Sequence, residues 1–124
     1  MNYSISWFEI PTTDLDRAIG FYETVLQASL RKETMGPMHM ALFPKADTDP
    51  VGGCLTWMEQ GQQPGGLGSV VYLYAGDDLA GPLARVEPAG GTVLVPKTLI
   101  SPEIGYFALF RDSEGNHVGL YSMN

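Results

Sequence analysis

One plan occurs twice along this chain: a short strand, an acidic helix start, an amphipathic helix, then three more strands. In the first copy, Trp7, Phe8, Glu9 and Ile10 read as an aromatic and β-branched strand, stopped by Pro11. Thr13 stands three residues before Asp16, a start signal close to the capping box. Leu15, Ile19, Tyr22 and Leu26 then recur at helical spacing, with Ala18 and Val25 beside them, so one helix face is apolar. Ser29–Thr34 and His39–Phe43 read as strands joined by a turn at Gly36-Pro37, and Cys54–Met58 as the fourth strand.

After a flexible crossing segment at 59–69, the order begins again. Val70–Tyr74 reads as a strand. Asp77 or Asp78 caps a short helix through Leu79, Leu83 and Val86, and Gly90-Gly91 stops it. Thr92–Pro96, Tyr106–Phe110 and His117–Tyr121 complete the set, with a turn at Asp112–Asn116 before the last strand. An offset of 64 residues lays Asp14 on Asp78 and Leu15 on Leu79 (78 − 14 = 64; 79 − 15 = 64). The same plan twice predicts an α+β fold of two βαβββ modules: about 4–58, a linker at about 59–68, and about 69–122.

Composition narrows the functional classes. The 124 residues suit a single domain with a real core, and no run of eighteen apolar residues offers a membrane span. No basic region followed by an apolar core opens the sequence, and Cys54 has no second cysteine to pair with, so the expected location is cytoplasmic. A net charge of −7 argues against nucleic acid or an anionic membrane as partner. It admits a cationic ligand, and it equally serves solubility. The glycine-rich segment at 59–69 leads into a strand and has no lysine near it, so it reads as a linker and not as a phosphate cradle.

The run DLDRAIGFYETVL after the first strand and RDSEGNHVGLY at the end, set in the doubled element order, resemble the vicinal oxygen chelate superfamily. That group includes glyoxalase I, the extradiol dioxygenases and the bleomycin-resistance proteins. The resemblance implies modules whose curved mixed sheets enclose a cleft, and a homodimer. It also implies that catalytic members hold a divalent metal with His, Glu or Gln from the first and last strand of each module. Carried over, those positions are Trp7, Leu55, Val71 and Gly119, with equal internal spacing (55 − 7 = 48; 119 − 71 = 48). None offers a lone pair suited to a divalent cation, so no cofactor is expected and the metal site is read as lost.

Strand alternation predicts what faces the cleft. With Phe8 and Ile10 under the helix, Trp7 and Glu9 point inward. The 64-residue offset sends Val71 and Leu73 inward and Tyr72 and Tyr74 outward. His117, Gly119 and Tyr121 share a face of the last strand, matched by Leu55 and Trp57 in the first module. The expected ligand-binding set is Trp7, Glu9, Leu55, Trp57, Val71, Leu73, Gly119 and Tyr121. Glu9, His117 and Tyr121 are the candidate catalytic groups. Glu9 reads either as a general base or cation anchor, or as a carboxylate paired for structure. His39, Glu103 and the Met35, Met38 and Met40 cluster read as packing or exposed positions, and Cys54 as an inert buried thiol. The function these residues predict is metal-free binding of a small organic ligand in an aromatic cleft. The alternative is a lyase or isomerase of the glyoxalase type with Glu9 as base.

Overall fold

The computed structural model describes residues 5–124, so residue 4, where the first module is expected to begin, lies outside the described residues. The first module holds β1 (Trp7–Pro11), α1 (Leu15–Leu26), β2 (Arg31–Met35), β3 (Met38–Leu42) and β4 (Gly52–Trp57). The second holds β5 (Val71–Tyr74), α2 (Ala80–Ala84), β6 (Thr92–Ser101), β7 (Gly105–Arg111) and β8 (His117–Ser122). Strand order is β1-β4-β3-β2 in one sheet and β5-β8-β7-β6 in the other. In each sheet the first strand pairs parallel to the last, and the remaining pairs are antiparallel. This is the α+β arrangement of two βαβββ modules with mixed sheets that the sequence predicts.

Local chemistry departs from the sequence reading at three places. The cap of α1 is Asp14, whose Oδ1 accepts from the Arg17 amide, and not Thr13. Thr13 is occupied elsewhere, as described below. α2 is one turn only, because Gly81 and Pro82 fall inside it. The Ala80 amide there donates to Asp78, whose carboxyl the Lys97 ammonium holds below its ordinary value. β6 runs through Pro96 to Ser101, beyond the expected stop. It is an edge strand, where a missing amide donor is tolerated, and its pairing with β7 shifts register there.

A single core joins the modules. Ala18, Phe21, Tyr22 and Val25 of α1 are buried with Ile10, Ala41 and Leu55 of the first sheet and with Ala108, Phe110, Val118 and Leu120 of the second. The Tyr22 ring meets Phe43 on one side at 5.6 Å and Phe110 on the other at 6.3 Å. The apolar stripe of α1 thus serves both sheets, and its width explains why Phe21, outside the expected stripe, is also buried.

A polar clasp completes the joint. The turn at Asp112–Asn116 reaches from the second module to the start of α1 in the first. Buried Asp112 accepts from the Tyr22 hydroxyl at 2.7 Å, from Asn116 Nδ2 at 3.1 Å, and from the Glu114 and Asn116 amides at 2.9 Å. Asn116 Nδ2 also donates to the Pro11 carbonyl. Burial, followed by the charge of Asp112, raises the Tyr22 hydroxyl well above its ordinary pKa, so it stays a donor. Tyr22→Phe is therefore expected to cost about 1–2 kcal/mol in urea unfolding, since it removes one bond to a buried carboxylate and leaves the aromatic packing intact.

Candidate functional site

Register decides which side chains each sheet turns away from the shared core. In the first sheet, Ile10 pairs with Leu55 and Leu55 with Ala41, all buried under α1. The opposite, helix-free face therefore carries Trp7 beside Gly52, Glu9 beside Cys54, and Met40 beside Thr56. In the second sheet, Leu73 pairs with Leu120 on the core side. The helix-free face carries Tyr72 beside Gly119, Tyr74 beside Tyr121, and Phe107 across from Tyr121.

Trp7, Glu9, His117, Gly119 and Tyr121 thus stand on the faces expected of them. Leu55, Trp57 and Leu73 do not. Leu55 is fully buried beneath α1, Leu73 packs against the core, and Trp57 pairs with His39 on the helix side, their rings 5.5 Å apart. Val71 pairs with buried Val118 and reaches the cleft from the sheet edge, not from the face. The correspondence between modules is Trp7 with Tyr72 and Gly52 with Gly119, so the equal spacing of 48 was fortuitous; the true separations are 45 and 47 (52 − 7; 119 − 72). Because side chains alternate with period two, displacements by an odd number, one residue at Val71 and three at Leu55, exchange the faces. Tyr72, Tyr74, Phe107 and Gly52 are the face residues that the sequence reading missed.

Between the modules lies a cleft of about 580 Å³, lined by Glu9 and Pro11 of edge strand β1, by the linker at 62–69, by Val71, and by Asn116 and His117. The Gly65 amide donates to Asn116 Oδ1, and Gly66 lies against the His117 ring, where a Cβ would come within 2.6 Å. The linker therefore lines this cleft, and Gly66 permits its close approach to His117. Glu9 is exposed, and the cleft brings it and His117 into one lining. The Tyr121 hydroxyl donates to the Ile104 carbonyl, which ties it to the turn after β6. Glu103, in the same turn, is exposed. Burial pushes the Cys54 thiol up to about 11, the Glu9 carboxylate adds to the rise, and the Trp7 indole works against it. At neutral pH Cys54 is a buried thiol without thiolate character.

A family model described as Glyoxalase/Bleomycin resistance protein/Dioxygenase superfamily matches residues 4–120. The chain belongs to this superfamily. Among curated proteins it is 32% identical, over 114 residues, to the "Putative glyoxylase CFP32" of Mycobacterium bovis and of Mycobacterium tuberculosis. The match takes in 90% of this chain but only 41% of the length of those relatives. Among solved structures, a glyoxalase/bleomycin resistance protein from Albidiferax ferrireducens superposes with a TM-score of 0.72 at 19% identity, over 95% of this chain and 97% of that one. TnmS3, an antibiotic binding protein from Streptomyces, superposes at 0.69 and 23%, over 98% and 96%. Glyoxalase I from Zea mays superposes at 0.70 and 22%, over 95% of this chain and 45% of that one. At these identities the structural likeness speaks for the fold.

The superfamily's divalent metal does not fit the side chains at this chain's paired strand positions. Trp7, Gly52, Tyr72 and Gly119 supply an indole, a phenol and two hydrogens. Next to them on the same faces stand Glu9, Cys54, Tyr74 and Tyr121. With His117, two residues before Gly119 on the same face, that donor set has one imidazole and one carboxylate, against the three or four hard or borderline ligands such an ion takes. Among the described residues, no three His, Cys, Asp or Glu side chains are grouped so as to hold a metal ion. Among the same residues no helix is long and apolar enough to cross a membrane.

Proposed function

We propose that this member of the superfamily binds a small organic ligand without a metal, and that two copies of the chain complete the site. The observation that supports this is the aromatic character of the helix-free faces. Trp7, Tyr72 and Tyr74 are large, exposed and directed away from a core already filled. Exposed aromatic surface of this kind suits stacking and a few hydrogen bonds. The Met35, Met38 and Met40 side chains extend the first sheet's face as an adaptable apolar margin, suited to contact with a second copy. TnmS3, a binding protein of the same fold, lends weight to a binding role. The acidic balance gives nucleic acid and anionic membranes no part in this reading, and the reading places the chain in the cytoplasm.

The test is a thermal-shift and calorimetric screen of the purified protein against a panel of metabolites and antibiotics, after its mass in solution has been measured. Saturable binding by a dimer, with no metal above background in elemental analysis, is the expected result. Metal near one equivalent per chain, or a dimer that binds nothing in the panel, would overturn the reading.

A second reading has one specific observation in its favour: Glu9 and His117 line the same cleft. A carboxylate base and an imidazole acid there could serve a lyase or isomerase, in keeping with the name of the curated relatives. Turnover that survives Glu9→Gln would exclude Glu9 as the base.

A further inference from the structure

The outer hairpin of the first sheet carries three thioethers that core packing does not account for. Met35, Met38 and Met40, three of the chain's six methionines, fall within six residues. β2 is the free edge of its sheet, and every residue of it is exposed. Before Met35 it is polar throughout, with Arg31, Lys32, Glu33 and Thr34, yet Met35 ends it with 62% of its surface in solvent. Met38 and Met40 are half-buried.

The hairpin fixes how the three stand. Met35 and Met38 are direct cross-strand partners, joined by the two-residue turn Gly36-Pro37. Gly36 has φ 58°, which such a turn requires at its first central position, and the Pro37 ring restricts the second. The turn therefore holds the two methionines opposite one another, with Cβ atoms about 5 Å apart. Met40 follows Met38 by two residues, so it shares that side of β3 and lies diagonal to Met35, about 7–8 Å away. His39, between them, is turned to the opposite side against Trp57. Each thioether rides on a flexible unbranched stem, so the three sulfurs can converge on one ion while the backbone stays in place.

We propose that Met35, Met38 and Met40 form a binding site for a soft monovalent cation, Cu(I). Neutral thioethers are soft donors and select Cu(I) over hard or borderline divalent ions. The charges nearby do not oppose a cation: Arg31 and Glu33 pair with one another at 3.2 Å, and Lys32 pairs with Asp16 on the helix side. The site lies on β2 and β3, at the edge of the sheet away from β1, and none of the three methionines lines the cleft between the modules. It is therefore independent of the small-molecule reading. Thioethers hold Cu(II) and other divalent ions poorly, so protein purified in air should arrive without the ion, and its elemental analysis still tests the divalent centre.

The experiment titrates the purified chain with Cu(I), without oxygen and in competition with bicinchoninate. In parallel, NMR of isotope-labelled methionine methyl groups follows the addition of Ag(I), a redox-stable soft monovalent ion. Leu substitutions keep the apolar volume and remove the sulfur, so they separate a donor role from a packing role. The expected result is one Cu(I) per chain, with Ag(I) shifting the methyl signals of Met35, Met38 and Met40, while Met58 and Met123 stay in place and Zn(II) moves none of the three. Met35→Leu, Met38→Leu and Met40→Leu should each weaken Cu(I) by roughly tenfold or more, and the triple variant should lose it while keeping the parent's mass in solution. Cys54→Ala, which removes the only thiol, should bind within about threefold of the parent. Stoichiometric binding that persists in the triple variant, or that is lost in folded Cys54→Ala, would overturn the site. So would parent protein in which Ag(I) leaves the three methyl signals unmoved, a result that needs no variant.

Discussion

Glu114→Gln is expected to lower stability at pH 7 by about 2 kcal/mol and to lower Tm by roughly 10 °C for a domain of this size. The side chain of Glu114 is fully covered, yet it accepts from the Thr13 and Asp14 amides at 2.9 Å, from Thr13 Oγ1 at 3.0 Å and from Arg17 Nε at 2.7 Å. Burial alone would raise its pKa. The bonds from Arg17, from the two backbone amides and from Ser113 outweigh burial and hold it at about 2, against an ordinary 4.5. At ~1.4 kcal/mol per unit the full difference is ~3.5 kcal/mol, and the half-exposed Arg17 partner lets solvent screen part of it.

The sign follows from the depressed value. A carboxylate with a folded pKa below its unfolded pKa contributes its full stability above the unfolded value, about 4.5, and loses it as pH falls toward the folded value, about 2. The gap between parent and Glu114→Gln in urea unfolding should therefore be constant from pH 7 to about pH 5 and close progressively below that. A gap that persists unchanged at pH 3 would show that shape, not charge, holds the clasp.

This clasp also explains the two motifs that carry the family resemblance. DLDRA, with Thr13 just before it, supplies the amides and the arginine, and DSEGN supplies the carboxylates, so each motif is the other's partner across 97 to 101 residues of sequence. In the sequence alone they read as a helix start and a turn. Nothing local says that Glu114 accepts from the start of a helix in the other module, which is why Thr13 reads as that helix's own cap and Asp14 goes unassigned. Hydrophobic period and turn chemistry did reveal the element order, because both are local properties of the chain.

The site was less legible for a related reason. Gly52-Gly53 look like strand breakers, so the sequence reading starts β4 at Cys54, and the 64-residue offset taken from Asp14 and Asp78 then sets Leu55 against Gly119. In the fold those glycines are strand residues under the rings of Trp7 and Phe8, a tertiary arrangement that overrides their low strand preference. Tyr72 and Tyr74 fall on the side away from the cleft under the 64-residue offset, which is one residue short of the offset that the strand pairings set (72 − 7 = 65). The signal that could have placed them is the glycine at 119: an aromatic strand beside a glycine in its neighbour invites the ring to lie across it.

Gly91→Ala is expected to be among the most damaging single changes in the chain, at about 3 kcal/mol, whereas Gly90→Ala next to it should cost about 1 kcal/mol. The sequence assigns both glycines to one task, stopping a helix. The structure gives them different ones. Gly90 has φ 106°, a conformation that penalises a side chain, but nothing lies within 4 Å of where its Cβ would be. Its cost is backbone strain alone, at the exposed end of the turns after α2. Gly91 has an ordinary backbone, and a Cβ there would meet the Arg111 carbonyl oxygen at 2.5 Å, Phe21 at 2.7 Å and Val86 at 2.9 Å. A ring or a valine methyl can give way by rotation. The Arg111 oxygen cannot, because it belongs to β7, paired on both sides by β6 and β8. Phe21 belongs to α1, so the same methyl group would also press on the joint between the modules. Urea unfolding of the two variants separates the effects. Equal costs would mean that the β6–β7 edge yields freely and that close packing at Gly91 does not tie the second module to α1.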